Sequence, residues 1–262
     1  MILSDCICWY KLGIDSKLTC LFRSYDTLSG AKNFFQKYEL NSNTCVANVY
    51  EIFASTYQSY NAILRASIDK YLSEGSLPQH GNPTYYSYVI LDVAKLYSIL
   101  DRYNSGLAPT EICNADFDIF KDCIIYIGKG KNDRKIQHAI SGKKFMENIL
   151  ALSGNTDRLS KIAELWENGN GVAILQLTNE ITHYEAHARE YAIIKTMGLD
   201  NITNVINGVP YGVMGQGWSD IEVANYGTMM LYNALKLCIL ERPRIIMSSD
   251  IMLPIPRGRI SS

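Results

Sequence analysis

The chain has 262 residues, a formal net charge of −1 and a 47 % apolar fraction, enough for one large or two small domains with a real core. Near-neutrality excludes a general basic coat, so any nucleic-acid contact has to come from a local patch. No apolar run approaches the roughly 20 residues of a membrane span, and seven scattered cysteines without a C-x-x-C pair suggest reduced thiols in a cytosolic or nuclear protein with no signal peptide.

From Met1 to about Gly81 the chain reads as helical. The spacing from Val46 through Ile52, Tyr60 and Ile68 to Leu72 is that of an amphipathic helix of several turns. Ser73 to Pro83 reads as a linker, with two prolines and two glycines. Tyr85 to Leu91 is a strand, and Asp92 to Asp118 a polar, partly helical connection.

The stretch Lys121 to His138, KDCIIYIGKGKNDRKIQH, carries the most information. Cys123 to Ile127 is a β-branched and aromatic strand. Gly128 and Gly130 are expected to break it and to let a ligand approach the backbone. Asn132 or Asp133 offers a helix N-cap, and Arg134 and His138, four apart, share one helical face. Lys121, Lys129, Lys131, Arg134, Lys135, Lys143 and Lys144 against Asp122 and Asp133 leave a local excess of five positive charges. That suits an anion, although a strand, a glycine turn and a basic helix start also occur without function, and no Walker loop is present.

Ile136 to Leu152 continues helical and is expected to stop at Gly154-Asn155. Arg158 to Glu167 is a short helix with Ile162, Leu165 and Trp166 on one side, and Val172 to Leu177 is a third strand. The stretch Ile181 to Gly198, ITHYEAHAREYAIIKTMG, reads as a helix apolar on most sides, with Gly198 as its stop. Its Glu185 has two readings: the glutamate of a Thr182-x-x-Glu185 capping box, or a buried functional carboxylate. From local sequence alone the cap is favoured. His183 and His187 are spaced to share a metal, but H-Y-E-A-H is not H-E-x-x-H and structurally bonded histidines are the simpler account. The loop Asn201 to Gly212 is expected to return to the Tyr126 end of the sheet, and Val223 to Leu240 is a further helix.

In this order the pieces resemble the GIY-YIG nuclease family, most closely the animal branch found with ankyrin repeats and a LEM domain. Tyr126-Ile127-Gly128 is the YIG element. Tyr88 to Asp92, Tyr126 to Gly130, Gly169 to Val172, Glu185 to Glu190 (E-A-H-A-R-E), Thr203-Asn204 and Gly208 to Tyr211-Gly212 match six ordered elements over roughly residues 85–212. Two departures stand out: the GIY triplet reads Tyr86-Ser87-Tyr88, and 37 residues separate Tyr88 from Tyr126.

The resemblance implies an α+β fold with a small, mostly antiparallel sheet in a nuclease domain at 83–212. A helical segment would precede it (1–82) and a C-terminal extension follow (213–262). It implies a metal-dependent DNA endonuclease, selective for DNA structure or junctions, using Mg²⁺ or Mn²⁺; a catalytically inactive nucleic-acid-binding module is the alternative. The implied catalytic set is Tyr88 (favoured over Tyr126 as base), Tyr126, Arg134 as phosphate clamp, His138, and Glu185 as metal ligand rather than cap. Lys129, Lys131, Lys135, Lys143 and Asn204 would contact nucleic acid, with Gly128 and Gly130 structural.

Overall fold

The computed structural model describes residues 46–79, 81, 83–104, 114–148 and 156–253. The expected helix before residue 46, Gly154-Asn155 and five of the seven cysteines lie outside them; the helix expected to run on to Leu152 ends at Met146, where Glu147 caps it. The two cysteines inside, Cys123 and Cys238, are buried free thiols whose pKa values burial pushes up to about 12.

The fold is α+β. Its elements run α1 (Val46–Ser73), β1 (Tyr85–Asp92), α2 (Val93–Asn104), α3 (Asn114–Cys123), β2 (Ile124–Lys131), α4 (Arg134–Met146), α5 (Asp157–Glu167), β3 (Val172–Gln176), α6 (His183–Met197), α7 (Val213–Gln216), α8 (Asp220–Glu241) and β4 (Ile245–Ile246). The four strands form one antiparallel sheet in the order β2-β1-β3-β4. Because β1 is central and covered on both faces, its sequence is apolar almost throughout rather than alternating.

Tyr86, Tyr88, Ile90, Ile125 and Val172 turn to one face, where Ala139 of α4 and Ile162, Leu165 and Trp166 of α5 cover them. Val89, Leu91, Ile127, Ala173 and Leu175 turn to the other, against a larger helical layer. That layer includes Leu64 and Ile68 of α1, Ala188, Ala192 and Ile193 of α6, and Tyr226, Leu231 and Leu235 of α8, all buried. The N-terminal helix is therefore part of this core. Tyr226 Oη donates to Asn61 Oδ1 (2.6 Å) and Val213 N to Ser67 Oγ (2.9 Å). Burial of Leu64 and Ile68 stabilises the unit by about 1.5–3 kcal/mol per side chain. The segment after Gly212 likewise is no appendage, since α8 packs along α6 and β4 completes the sheet.

The glycines of β2 do not break the strand. Pairing continues through Tyr88–Gly128, Tyr86–Gly130 and Tyr85–Lys131, and the chain turns only at Asn132, with φ 54°. What Gly128 provides is space: a Cβ there would lie 2.6 Å from Cζ and Oη of Tyr88 and 2.7 Å from Cε1 of Tyr126. A tyrosine can cross the strand at that point because its neighbour has no side chain.

Candidate active site

Tyr88, on the central strand, is wholly buried, and its hydroxyl lies 2.6 Å from His138 Nε2 of α4. Burial, reinforced by Tyr126 nearby, holds the Tyr88 phenol well above its usual pKa, with Arg134 pulling the other way. Burial, then the Arg158 and Arg134 cations, pushes His138 down to about 3. Both groups are therefore neutral near pH 7, and in the Nδ1–H tautomer of His138 the phenol donates and Nε2 accepts.

Tyr126 is half-buried, its ring 4.9 Å from that of His138. Arg158 of α5 lies over its face, with Cζ 4.5 Å from the centroid. Its Nε is buried without a hydrogen-bond partner among the described residues. Burial raises the Tyr126 pKa, Arg158 and Arg134 lower it, and Glu190 raises it. Sequence reading passed over Arg158, although a signal was present. It precedes Ile162 by one helical turn and thus shares the inward face of α5 with Leu165 and Trp166.

Arg134 opens α4 and is exposed, its stem lying against Gly130. Neither Asn132 nor Asp133 supplies the expected side-chain cap. Tyr86 does that work from the neighbouring strand: its hydroxyl donates to Asn132 O (2.7 Å) and accepts from Lys135 N–H (3.2 Å). A tyrosine in the glycine position of the GIY triplet thus fixes the start of the helix bearing Arg134 and His138.

The two glutamates of α6 face different ways. Glu185 is turned toward α1 and α8, where its Oε1 accepts from Arg189 (2.6 and 3.1 Å) and from Arg65 Nε (3.0 Å). Half of the capping box is present, since Glu185 N–H donates to Thr182 Oγ1 (3.1 Å), but the carboxylate goes to the arginines. Glu185 therefore stands apart from the tyrosines, contrary to its expected place in the site. Glu190 is the acid that faces Tyr126 and Arg134. It is buried, 3.4 Å from Lys129 Nζ, and its pKa is raised by burial against the opposing pull of Lys129 and Arg134.

The expected cationic face is thinner than the sequence suggests. Lys129 is paired with Glu190; Lys135 bonds Gln176 and lies over Tyr86; Lys143 pairs with Glu147 (2.9 Å). Lys131 and Arg134 remain exposed, and Lys144 is half-buried at the far end of α4. Asn204 does not reach outward. Its amide accepts from Ile127 N–H (2.9 Å) and donates to Ile127 O (2.8 Å), while Thr203 binds Ile125 O. The loop returns to the Tyr126 end of the sheet as expected, and there Thr203 and Asn204 satisfy the free edge of β2 instead of contacting nucleic acid.

His183 and His187 pack edge-on at 4.5 Å beside Tyr184 and Tyr211. Among the described residues no group of three His, Cys, Asp or Glu side chains is arranged to hold a metal. A single buried carboxylate such as Glu190 still fits Mg²⁺, a hard cation that keeps most of its waters and takes the rest of its shell from phosphate oxygens.

A family model described as the LEM-3-like GIY-YIG domain matches residues 85–253. The chain belongs to the LEM-3-like GIY-YIG family. The match runs past Gly212 through α8 and β4, in keeping with their place in the core. Among curated relatives, the ankyrin repeat and LEM domain-containing protein 1 homolog of Caenorhabditis elegans is 30% identical over 155 residues, covering 59% of this chain and 21% of that protein. The human ankyrin repeat and LEM domain-containing protein 1 is 26% identical over 174 residues, covering 63% and 26%. The chain thus spans about a quarter of the length of these relatives. No solved structure matches it. No helix among the described residues is long and apolar enough to cross a membrane.

Proposed function

We propose that this chain is a metal-dependent DNA endonuclease selective for branched or distorted DNA, with Glu190 rather than Glu185 as its metal ligand. The observation that carries the reading is the 2.6 Å bond between Tyr88 and His138, two groups held neutral beside three cationic or ring-stacked partners. A module that only binds nucleic acid needs cations on its surface, not a buried phenol–imidazole pair.

Hydrolysis of a phosphodiester needs a proton acceptor for the attacking water and positive charge around the phosphate. An isolated Tyr88 is a poor base, since its phenolate is disfavoured by burial. The bond to His138 moves the charge from the phenol to the imidazole, whose protonation is opposed by burial and then by Arg158 and Arg134. Tyr88 takes the proton of water on its oxygen while passing its own proton to Nε2, so no phenolate accumulates. Arg134 and Arg158 then face the imidazolium as well as the phosphate, and the negative charge developing on the phosphate offsets their repulsion. Tyr126, held by Arg158 across its face, orients the phosphate or the water. Glu190 would hold Mg²⁺ or Mn²⁺ with Lys129 balancing its charge; a hard cation there stabilises the leaving 3′-oxygen.

Purified protein with Mg²⁺, incubated with duplex, flap, branched and single-stranded DNA, tests the proposal. Branched or flapped DNA should be cut, and Tyr88→Phe, which keeps the ring and removes the relay, should lower the rate at least ~10²-fold. Binding of the same DNAs with no cleavage in Mg²⁺ or Mn²⁺ would establish the inactive binding module instead.

A further inference from the structure

Beyond Asn204 the chain forms a loop whose two ends are fixed on either side of the Glu190–Lys129 pair. At the first end Asn204 is bonded to both backbone groups of Ile127, two residues before Lys129 on β2. At the second, Gly208 has φ 77° and sits so close to α6 that a Cβ would lie 3.3 Å from Tyr191 Cα, next to Glu190. Only glycine supplies that conformation readily. Residues 205–207 therefore bridge the edge of the site, held at both ends rather than free.

The bridge is Val205-Ile206-Asn207, and its two aliphatic side chains are 63 % and 71 % exposed. Neither belongs to the hydrophobic clusters that make the core. Apolar surface left in water forgoes about 25 cal/mol per Å², and here its loop ends beside Glu190, a buried acid within electrostatic reach of Lys129 and exposed Arg134. Those cations draw in a phosphate backbone. The aliphatic tip offers it no hydrogen bond, but it matches the face of a base or the gap of an unstacked step. Continuity with the catalytic groups selects nucleic acid over a protein as its occupant.

We propose that Val205 and Ile206 form a wedge that packs against an unstacked base next to the cleaved phosphodiester, so that distorted DNA is chosen there. This rests on the reading of the site as a DNA nuclease. Paired duplex gives the tip nothing to enter, whereas a branch or flap presents an open step at low cost.

The test uses the full chain and V205S/I206S, whose positions are exposed and lie outside the core. A branched DNA carrying 2-aminopurine at the branch step is titrated without metal, beside a fully paired duplex. The wild type should raise the 2-aminopurine fluorescence on binding. The variant should bind the duplex within about twofold of wild type, bind the branched DNA about 10-fold more weakly, and leave the fluorescence flat. An equal fluorescence rise with both proteins overturns the wedge, as does an equal loss of affinity for both DNAs. If the wild type cuts branched DNA and the variant cuts it as fast, the wedge alone fails. If the wild type neither binds nor cuts DNA, the nuclease reading fails with it.

Discussion

Glu185 and Glu190 stand five positions apart on α6, roughly 140° around the helix axis, and their glutamine variants should fail in opposite ways. Glu185 neutralises Arg189, which is 2 % exposed, through contacts of 2.6 and 3.1 Å, and also meets Arg65 at 3.0 Å. Glu185→Gln leaves a buried guanidinium without its counter-ion, a change that costs about 3–5 kcal/mol when nothing replaces it. The Tyr57 hydroxyl and the Tyr226 ring remain beside Arg189, which places the expected loss at the lower end, about 3 kcal/mol. Glu190 has Lys129 as its partner, and that side chain is partly exposed and free to turn outward. Glu190→Gln should therefore stay within about 1 kcal/mol of wild type. Its cleavage rate should fall at least ~10²-fold, or about 2.7 kcal/mol on the barrier, because a neutral amide is a poor ligand for a hard cation. Urea unfolding gives the stabilities, and cleavage across a Mg²⁺ titration at matched folded fraction gives the rates. Wild-type cleavage by Glu190→Gln, or loss of cleavage by well-folded Glu185→Gln, would refute the assignment.

His138 remains neutral in the native state down to about pH 3, whereas in the unfolded chain it takes a proton below ~6.5. Its contribution is thus fully present above ~6.5 and lost as pH falls. Relative to His138→Gln, the wild type should lose up to about 1.4 kcal/mol per pH unit between those limits, read from urea midpoints. Gly128→Ala puts a methyl group into the Tyr88 and Tyr126 rings; a stability loss of about 1–3 kcal/mol with cleavage abolished is expected, and a normal rate would show the rings can yield. Arg158→Met keeps the packing of α5 but removes the cation over Tyr126; cleavage should drop about 10-fold with melting temperature nearly unchanged, measured by single-turnover kinetics. A fragment from Pro83 to Gly212 omits α1 and α8 and should fail to fold, as circular dichroism would show.

What the sequence revealed was local. Tyr126, Arg134 and His138 fall within thirteen residues of strand and helix, so strand alternation and helical periodicity place them without knowledge of distant packing. The choice between Glu185 and Glu190 was not local. E-A-H-A-R-E carries an acid at each end, and which end faces the sheet is decided by α1 and α8 docking on the other side of α6. Arg158 reaches Tyr126 from a helix whose own sequence looks merely amphipathic. Gly128 was expected to turn the chain; its actual service depends on Tyr88, forty residues earlier. Asn204 looked like a binding residue because an amide at a loop start is ambiguous until its partner, here the Ile127 backbone, is known.

β1 and β2 are neighbours in the sheet but not a hairpin. Residues 93–123 lie between them, and closing a loop of that size costs about 3 kcal/mol of chain entropy before any strand pairing forms. The intervening α2 and α3 shorten the search by folding on themselves, with Tyr103 Oη donating to Asp116 Oδ2 (2.8 Å) and Lys95 Nζ to Asp122 O (3.0 Å). The register that sets Tyr88 against Gly128 must still wait for that helical pair to dock, and its outer layer comes from α8, more than ninety residues downstream of Gly128. On the ribosome, a chain that has emerged as far as α4 holds both tyrosines, Arg134 and His138 but not the helices that seat the sheet bearing them. The tyrosine–histidine pair is thus seated only after α8 has been made.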